Sequence, residues 1–319
     1  MALKKKNLTR DQIQNILVLV ALVVAMAVFT CINSDFLSFV NLHSVLLTAC
    51  TVGVIAIGEC TAIMSGYFDM SAGMVAALGG VIAATIMQSN GNATLAILVG
   101  LLVGLFCGSI AGFTVSFLGM NAFITTYAMQ EIYRGILYLM TDGFAVRMIG
   151  EQYTSFTKWG SLKVFGVIQF PILAMIALYV IIGLFLKYRK LGRSIYLCGG
   201  NQRCAKICGI NVHLVQMFVF LLCDTLAAFA GMMYASRVGS ANAFLSETVV
   251  SEAIASTIVG GTSMAGGKGN LFFTFIGVCI VYVVKNGLIM CGLPDFYQYI
   301  AIGVILFVAV MLQSERKKS

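Results

Sequence analysis

Ionisable side chains lie within or beside long apolar runs of this sequence, among them Glu59, Asp69, Glu131, Arg134 and Asp224. Charged groups are costly in apolar surroundings, so they persist mainly where they bind a solute or ion, relay protons or pair with each other. Each could therefore bind a polar solute or an ion, or relay protons. The alternative for each is a structural polar contact between helices.

Glu131 and Arg134 are the most suggestive pair because they are three residues apart in "NAFITTYAMQEIYRG", residues 121–135. Residues at this spacing share one face of a helix and can form an ion pair. Such a pair satisfies both charges without a ligand, so pairing alone does not establish a binding role. Lys285 and Asn286 form a second polar site in a later apolar run.

Asp69 and Ser71 lie in "SGYFDMSAGM", residues 65–74, a polar interruption between two apolar runs. Broken helices at membrane depth are tolerated where they line a cavity or are buried in protein. We therefore group six residues as candidates for lining a polar path: Asp69, Ser71, Glu131, Arg134, Asp224 and Asn286.

Motifs for catalysis, metal binding or nucleotide binding are missing from the sequence. His43 and His213 are its two histidines, and neither belongs to a zinc or hydrolase motif. The phosphate-loop lookalike "GGTSMAGGKGN", residues 260–270, has Thr262 where the first glycine is required and Gly269 where Ser or Thr is required. We expect a tight turn here, and expect this chain to have no catalytic residues, no metal site, no cofactor and no ATPase activity of its own.

The composition indicates the class of protein that must position these residues. Only 10% of the 319 residues are charged and 60% are hydrophobic, whereas a soluble domain has about a quarter of its residues charged. Apolar runs long enough to cross a bilayer recur along the chain. The sequence predicts an all-α polytopic membrane protein, in contact with the lipid bilayer and not with nucleic acid despite its net charge of +8.

We predict about ten transmembrane helices with both termini cytoplasmic. The predicted spans are 15–32, 42–64, 70–88, 93–118, 122–140, 168–187, 212–235, 248–262, 271–290 and 297–312. This threading places most of the twenty Lys and Arg residues inside. The chain then divides into a cytoplasmic segment 1–14, a transmembrane domain 15–312 and a cytoplasmic tail 313–319.

The longest predicted outside segment, residues 141–167, contains the single tryptophan, Trp159. That residue could anchor the segment at the membrane interface, or it could belong to a docking surface for an external partner. Inside the fourth span, glycines recur every four residues at Gly100, Gly104, Gly108 and Gly112. This spacing predicts close packing of helix backbones.

The long inside loop, residues 187–211, contains a short capped helix. Within "YRKLGRSIYLCGGNQRCAKICGIN", residues 188–211, Asn201 is a good N-cap and Gly209 is a natural residue just beyond a C-terminus. The helix between them, residues 202–208, presents Arg203 and Lys206 in one direction, and Cys204, Ala205, Ile207 and Cys208 supply small apolar surface. A two-turn helix is unstable alone. It must lie on anionic headgroups or, as its two caps favour, against another protein.

This loop resembles the "GR-x-x-(Y)-A-x-GGN-x-x-A-A-x-x-x-GI" loop of permease subunits in carbohydrate-uptake ABC importers of the ribose, xylose and arabinose type. Four further stretches resemble that family in the same order: "SGYFDMSAG", "NAFITTYAMQEIYRG", "VGGTSMAGGKGN" and "KNGLIMCGLPDFYQ". The resemblance covers about residues 40–312. It places the chain in the wider superfamily of branched-chain amino acid and monosaccharide permeases.

The resemblance implies a membrane-spanning subunit that moves a monosaccharide-like solute by alternating access in the bacterial plasma (inner) membrane. It implies three partners: a second permease chain, identical or different, an extracytoplasmic solute-binding protein and a separate ABC ATPase subunit that uses the ATP. It also implies that the inside loop couples to that ATPase through Arg193, Gly199, Gly200, Asn201, Arg203, Ala205, Lys206, Gly209 and Ile210.

Departures from the family pattern leave the solute open. Tyr67 stands where the family usually has Gly, and Glu131 and Asp224 stand where it usually has small or uncharged polar residues. The cargo could therefore be a modified sugar, a nucleoside or another polar solute. The rival hypothesis is an ion-coupled secondary transporter that uses Glu131, Arg134 and Asp224 as a relay, but it leaves the capped basic helix unexplained.

Overall fold

The computed structural model describes residues 10–164, 166–243 and 246–314, and these residues form a predominantly α-helical bundle. Its first half contains α1 (Arg10–Ile32), α2 (Phe39–Met64), α3 (Ala72–Asn90), α4 (Ala93–Ser116) and α5 (Ala122–Thr141). A short outer helix, α6 (Thr154–Ser161), precedes α7 (Phe170–Tyr188). Then come α8 (Lys190–Gly200), α9 (Gln202–Ile207), α10 (Val212–Val238), α11 (Ser246–Val259), α12 (Leu271–Met290) and α13 (Phe296–Ser314).

Seven helices in the described part of the chain are long and apolar enough to cross a membrane: α1, α2, α3, α4, α7, α10 and α12. Shorter apolar segments, Thr248–Val259 and Phe296–Met311, occupy α11 and α13. The helix α5 has sufficient length but carries Glu131 and Arg134. The all-α polytopic class is confirmed. Each of the ten predicted spans coincides with a helix, while the number that cross and the side of each terminus stay predictions.

The two predicted terminal segments fall largely outside the described residues. Their basic residues Lys4, Lys5, Lys6, Arg316, Lys317 and Lys318 are not among those that the structure describes. At the start of the chain α1 begins at Arg10, so helix already covers part of the predicted segment 1–14.

The centre of the bundle is α10, which packs against α2, α3 and α4. The glycine face of α4 allows the closest of these approaches. A Cβ added at Gly104 would lie 2.7 Å from the Asp224 carbonyl oxygen, and one at Gly108 would lie 2.7 Å from that of Phe220. The predicted close backbone packing is therefore confirmed, with α10 as the partner helix.

The outer segment between α5 and α7 folds back onto the end of α10. In α6 the Gly160 N–H donates to Ser236 Oγ at 2.7 Å, and that hydroxyl donates to the Phe156 carbonyl at 2.6 Å. Trp159 lies between Phe170 and Phe229, with ring centroids 5.3 and 5.6 Å away. This ring therefore anchors α6 to the bundle.

Two small antiparallel ladders complete the outer segment. One pairs β1 (Val146–Arg147) with β4 (Ser240–Ala241), and Val146 lies opposite Ala241. The other pairs β2 (Lys163–Val164) with β3 (Ile168–Gln169) as a hairpin. The first ladder ties this segment to the chain that follows α10.

Candidate coupling and translocation sites

The inside loop is more helical than the sequence suggested. Residues 190–200 form α8, which we had not predicted from the sequence, and Ile195 and Cys198 of α8 are buried. Gly192 permits this fold-back, because a Cβ there would lie 2.5 Å from the Leu186 Cα of α7. Arg193 points outward and is exposed.

The predicted short helix is present as α9, with both predicted caps. Asn201 Oδ1 accepts from the Cys204 N–H at 3.1 Å. At the other end Gly209 has φ +78°, its N–H donates to the Lys206 carbonyl, and the Ile210 N–H donates to the Ala205 carbonyl, each at 3.0 Å. These two bonds form a Schellman motif, which explains why the helix stops where it does.

Three of the four apolar residues predicted to offer surface on α9 are exposed, and Ala205 is the exception. Only Ala205 packs inward, at 3% exposure, while Ile207 is 85% exposed. Cys204 and Cys208 are also exposed, so the predicted apolar surface does not hold the helix on the bundle. The outward face of α9 combines one large apolar side chain with Arg203 and Lys206.

Glycine contacts connect this coupling segment to the end of α2. The Gly267 N–H donates to the Met64 carbonyl at 2.8 Å. A Cβ at Gly199 would lie 1.8 Å from the same carbonyl oxygen, and one at Gly266 would lie 2.6 Å from the Gly199 carbonyl oxygen. Three stretches far apart in sequence therefore interlock through glycine backbone.

The expected tight turn at residues 260–270 is present. The Gly266 N–H donates to the Ser263 carbonyl, and the Ser263 N–H donates to that of Lys268, each at 3.0 Å. Positive φ angles at Gly261, Gly266 and Gly267 explain why glycine occupies these positions. The turn thus provides a surface on which α8 rests, and Tyr196 Oη donates to the Gly269 carbonyl at 3.3 Å.

Asp69 and Ser71 come together in the break between α2 and α3. Asp69 Oδ1 accepts from the Ser71 N–H at 3.0 Å and from its hydroxyl at 2.6 Å. The Met70 N–H donates to Thr126 Oγ1 of α5 at 3.0 Å. The break is therefore ordered by contacts within itself and with α5.

Asp224 of α10 faces Asp69 inside the bundle, with Glu59 of α2 close to both. All three side chains are fully buried. Both oxygens of Asp224 and one oxygen each of Asp69 and Glu59 lack a hydrogen-bond partner among the described residues. The break thus adjoins an enclosed acidic cluster.

Glu131 and Arg134 lie elsewhere, on the outer face of α5. Their side chains are 3.2 Å apart, and 43% and 34% exposed respectively, while Thr126 and Tyr133 of the same helix are buried in the bundle. The predicted ion pair forms, but it does not meet Asp69 or Asp224.

Asn286 occupies a third place, where its Nδ2 donates to Asn41 Oδ1 at 2.9 Å. Beside it, Lys285 Nζ lies 2.7 Å from Glu252 Oε1, and Tyr282 Oη donates to Glu252 Oε2 at 2.9 Å. Sequence reasoning missed Glu252, because α11 and α12 meet only in the fold. The six candidate path residues are thus divided among three places.

A cavity of about 470 Å³ lies beside the contact between the break and α9. Its lining includes Tyr67, Ser116, Asn121, Lys206, His213 and Gln216. The break, the α4–α5 connection, α9 and α10 all contribute to its wall.

Comparison with known proteins shows which family this chain belongs to. The family model described as the permease component of branched-chain amino acid transport systems matches residues 41–310. The chain belongs to this permease family. With its apolar helices, this membership makes it a multi-pass transport permease of the bacterial inner membrane.

Curated relatives of this permease match over nearly their whole length. It is 32% identical to the ribose import permease protein of Escherichia coli K12 over 300 residues, 94% of this chain and 93% of that protein. The ribose import permease protein of Bacillus subtilis 168 is 33% identical, over 93% of this chain and 91% of its own. The L-arabinose transport system permease protein of E. coli K12 is 32% identical, over 97% and 92%.

Proposed function

We propose that this permease forms the translocation pathway of an ATP-driven importer for a monosaccharide. A separate ABC ATPase supplies the energy, and an extracytoplasmic binding protein delivers the sugar. The names of the relatives support this substrate class, since they are import permeases for ribose and L-arabinose.

The geometry of α9 is the observation that carries the proposal. This helix is capped at both ends and joined to α8, which is interlocked with the end of α2 through Gly199. It therefore keeps a fixed shape while Arg203, Lys206 and Ile207 are all exposed. A rigid, basic helix with an exposed apolar residue fits a cleft in a partner protein, and the partner that this permease requires is the ATPase.

The ion pair on the outer face of α5 supports the proposal that a second permease chain packs there. If α5 spans the membrane as the sequence predicts, an ion pair near its middle is too costly to face lipid, so Glu131 and Arg134 must face protein or a water-filled path. Because this pair points away from its own bundle, a second permease chain would cover it. The pair then lines the path between the two chains.

The ion-coupled secondary transporter is not favoured. Its proposed relay requires Glu131, Arg134 and Asp224 to lie in series, whereas Asp224 is buried in the bundle and the pair is on the outer surface of α5. That hypothesis also gives α9 no role.

Uptake by proteoliposomes tests the proposal. The permease is reconstituted with its ATPase and binding protein, and uptake of radiolabelled D-ribose and L-arabinose is measured with and without internal ATP. We expect uptake of at least one sugar that requires ATP and the ATPase and that survives a protonophore. Uptake that needs only a proton gradient, with the ATPase absent, would contradict the proposal.

A further inference from the structure

Tyr67 connects three elements through its side chain. It lies half-buried in the break between α2 and α3. Its hydroxyl accepts from the side-chain amide of Gln202 in α9, at 2.7 Å, and from that of Gln216 in α10. Its ring packs against Phe220 of α10, with centroids 6.0 Å apart. One oxygen atom therefore bridges the coupling helix, the broken helix and the central helix.

The bridge reaches the acidic cluster and α5 within a few residues. Tyr67 is two residues before Asp69, which faces Asp224. Met70 follows Asp69, and its N–H donates a hydrogen bond to Thr126 of α5. A displacement of Tyr67 is thus passed by short covalent and hydrogen-bonded steps to the helix that carries Glu131 and Arg134.

The hydrogen-bonded side chains of Tyr67, Gln202 and Gln216 border open space. Tyr67, Gln202, Lys206 and Gln216 all line the cavity of about 470 Å³. Close-packed cores resist small displacements, but α9 here borders open space, and its side-chain contact with the break is a hydrogen bond. The Gln202–Tyr67 hydrogen bond is thus a side-chain link between α9 and the break, separate from the backbone contact of Gly199 with Met64.

We propose that the Tyr67 hydroxyl is the positioning contact through which movement of α9 is transmitted to the broken helix. This inference rests on the proposed function, because it assigns α9 the ATPase-driven movement. Tyr67 acts through Gln202 and the break and need not touch the sugar.

The test removes only the hydroxyl. Tyr67→Phe is prepared in the full complex of permease, ATPase and binding protein, and both ATP hydrolysis and uptake of D-ribose and L-arabinose are measured in proteoliposomes. We expect sugar uptake to fall roughly fivefold or more while ATP hydrolysis stays within about twofold of wild type. The ratio of ATP hydrolysed to sugar transported therefore rises. Tyr188→Phe, at an exposed tyrosine on the end of α7, is the matched control and should leave that ratio unchanged.

A double substitution separates transmission from general structural support. Gln202→Met should reproduce much of the loss of uptake, and adding it to Tyr67→Phe should change little, because Tyr67→Phe already removes the bond that Gln202→Met breaks. Unchanged coupling in Tyr67→Phe, additive losses, or a fall in melting temperature that accounts for the lost uptake would each overturn the assignment. If the wild type takes up sugar without the ATPase, both the proposed function and the role of Tyr67 are wrong. A coupled wild type with an equally coupled Tyr67→Phe overturns the role of Tyr67 alone.

Discussion

The backbone of Gly199 lies directly against the carbonyl of Met64, so close that a Cβ on Gly199 would be 1.8 Å from that oxygen. Gly199 belongs to α8 and Met64 ends α2, a helix long and apolar enough to cross a membrane. This contact holds the end of α8, three residues before α9 begins, against the end of α2.

Gly199→Ala tests that contact. The added methyl group forces backbone apart, and overpacking of this kind typically costs about 1–3 kcal/mol. We expect a lower melting temperature of the detergent-solubilised permease and a reduced yield of the ATPase complex. Gly200→Ala is the control, because its Cβ would lie 4.0 Å from the nearest atom, the Gly267 Cα. Equal behaviour of the two variants would contradict the interlock.

Charge reversal on α9 tests the partner surface. Arg203→Glu with Lys206→Glu should weaken ATPase binding by about 2 kcal/mol or more, roughly thirtyfold in affinity, because like charges then meet across the interface. Titration of the purified permease with ATPase by biolayer interferometry measures the change. Lys163→Glu, on the predicted outer side, should leave the affinity unchanged. An unaltered affinity in the double variant would remove the basic face of α9 from the interface.

Four exposed cysteines test the topology. Cys204 lies in α9 and Cys208 caps its C-terminus. Cys31 lies at the C-terminal end of α1 and Cys291 at the C-terminal end of α12, both predicted to be on the outer side of the membrane. An impermeant maleimide should label single-cysteine Cys204 or Cys208 variants in inside-out vesicles and Cys291 in right-side-out vesicles.

Cys198 provides an internal control for this labelling. Burial raises the pKa of its thiol, so even less of it is the reactive thiolate at neutral pH than of an exposed cysteine. We expect slow labelling of Cys198 from either side, with a rate that increases as the pH is raised. Labelling of Cys204 in right-side-out vesicles would contradict the predicted cytoplasmic position of α9.

Lys285 and Glu252 form a largely buried ion pair, and we expect the two side chains to stabilise each other strongly. Removing one partner leaves an uncompensated charge among buried groups, which costs about 3–5 kcal/mol. Lys285→Met and Glu252→Gln should each lower the melting temperature markedly, and the double variant should be more stable than either. Lys163→Met serves as an exposed control. Additive losses in the double variant would show that the two side chains do not stabilise each other.

Local features of this permease were predictable from its sequence. The caps of α9 at Asn201 and Gly209 follow from residue types that satisfy backbone groups within a few positions. The glycine face of α4 follows from helical spacing, although its partner α10 does not. Both kinds of feature depend on neighbours along the chain.

Features set by packing were not predictable from it. The helix α8 was not predicted, because it is held by close contacts of Gly192, Gly199 and Gly200 with α7, α2 and the 260–270 turn, which are distant in sequence or formed only in the fold. Glu252 was missed because its partner Lys285 is on another helix. The rotation of each span about its axis decides which polar residues meet, and that rotation separates Asp224 from Glu131.

Photo-cross-linking at position 207 tests the central claim most directly, that α9 couples this permease to a separate ATPase. A benzophenone amino acid replaces Ile207, whose side chain is 85% exposed, in the complex that also contains the ATPase and the binding protein. The account predicts a covalent adduct with the ATPase, and none when the same probe replaces Lys163. An ATP-coupled complex that yields only lipid adducts from position 207 would contradict it.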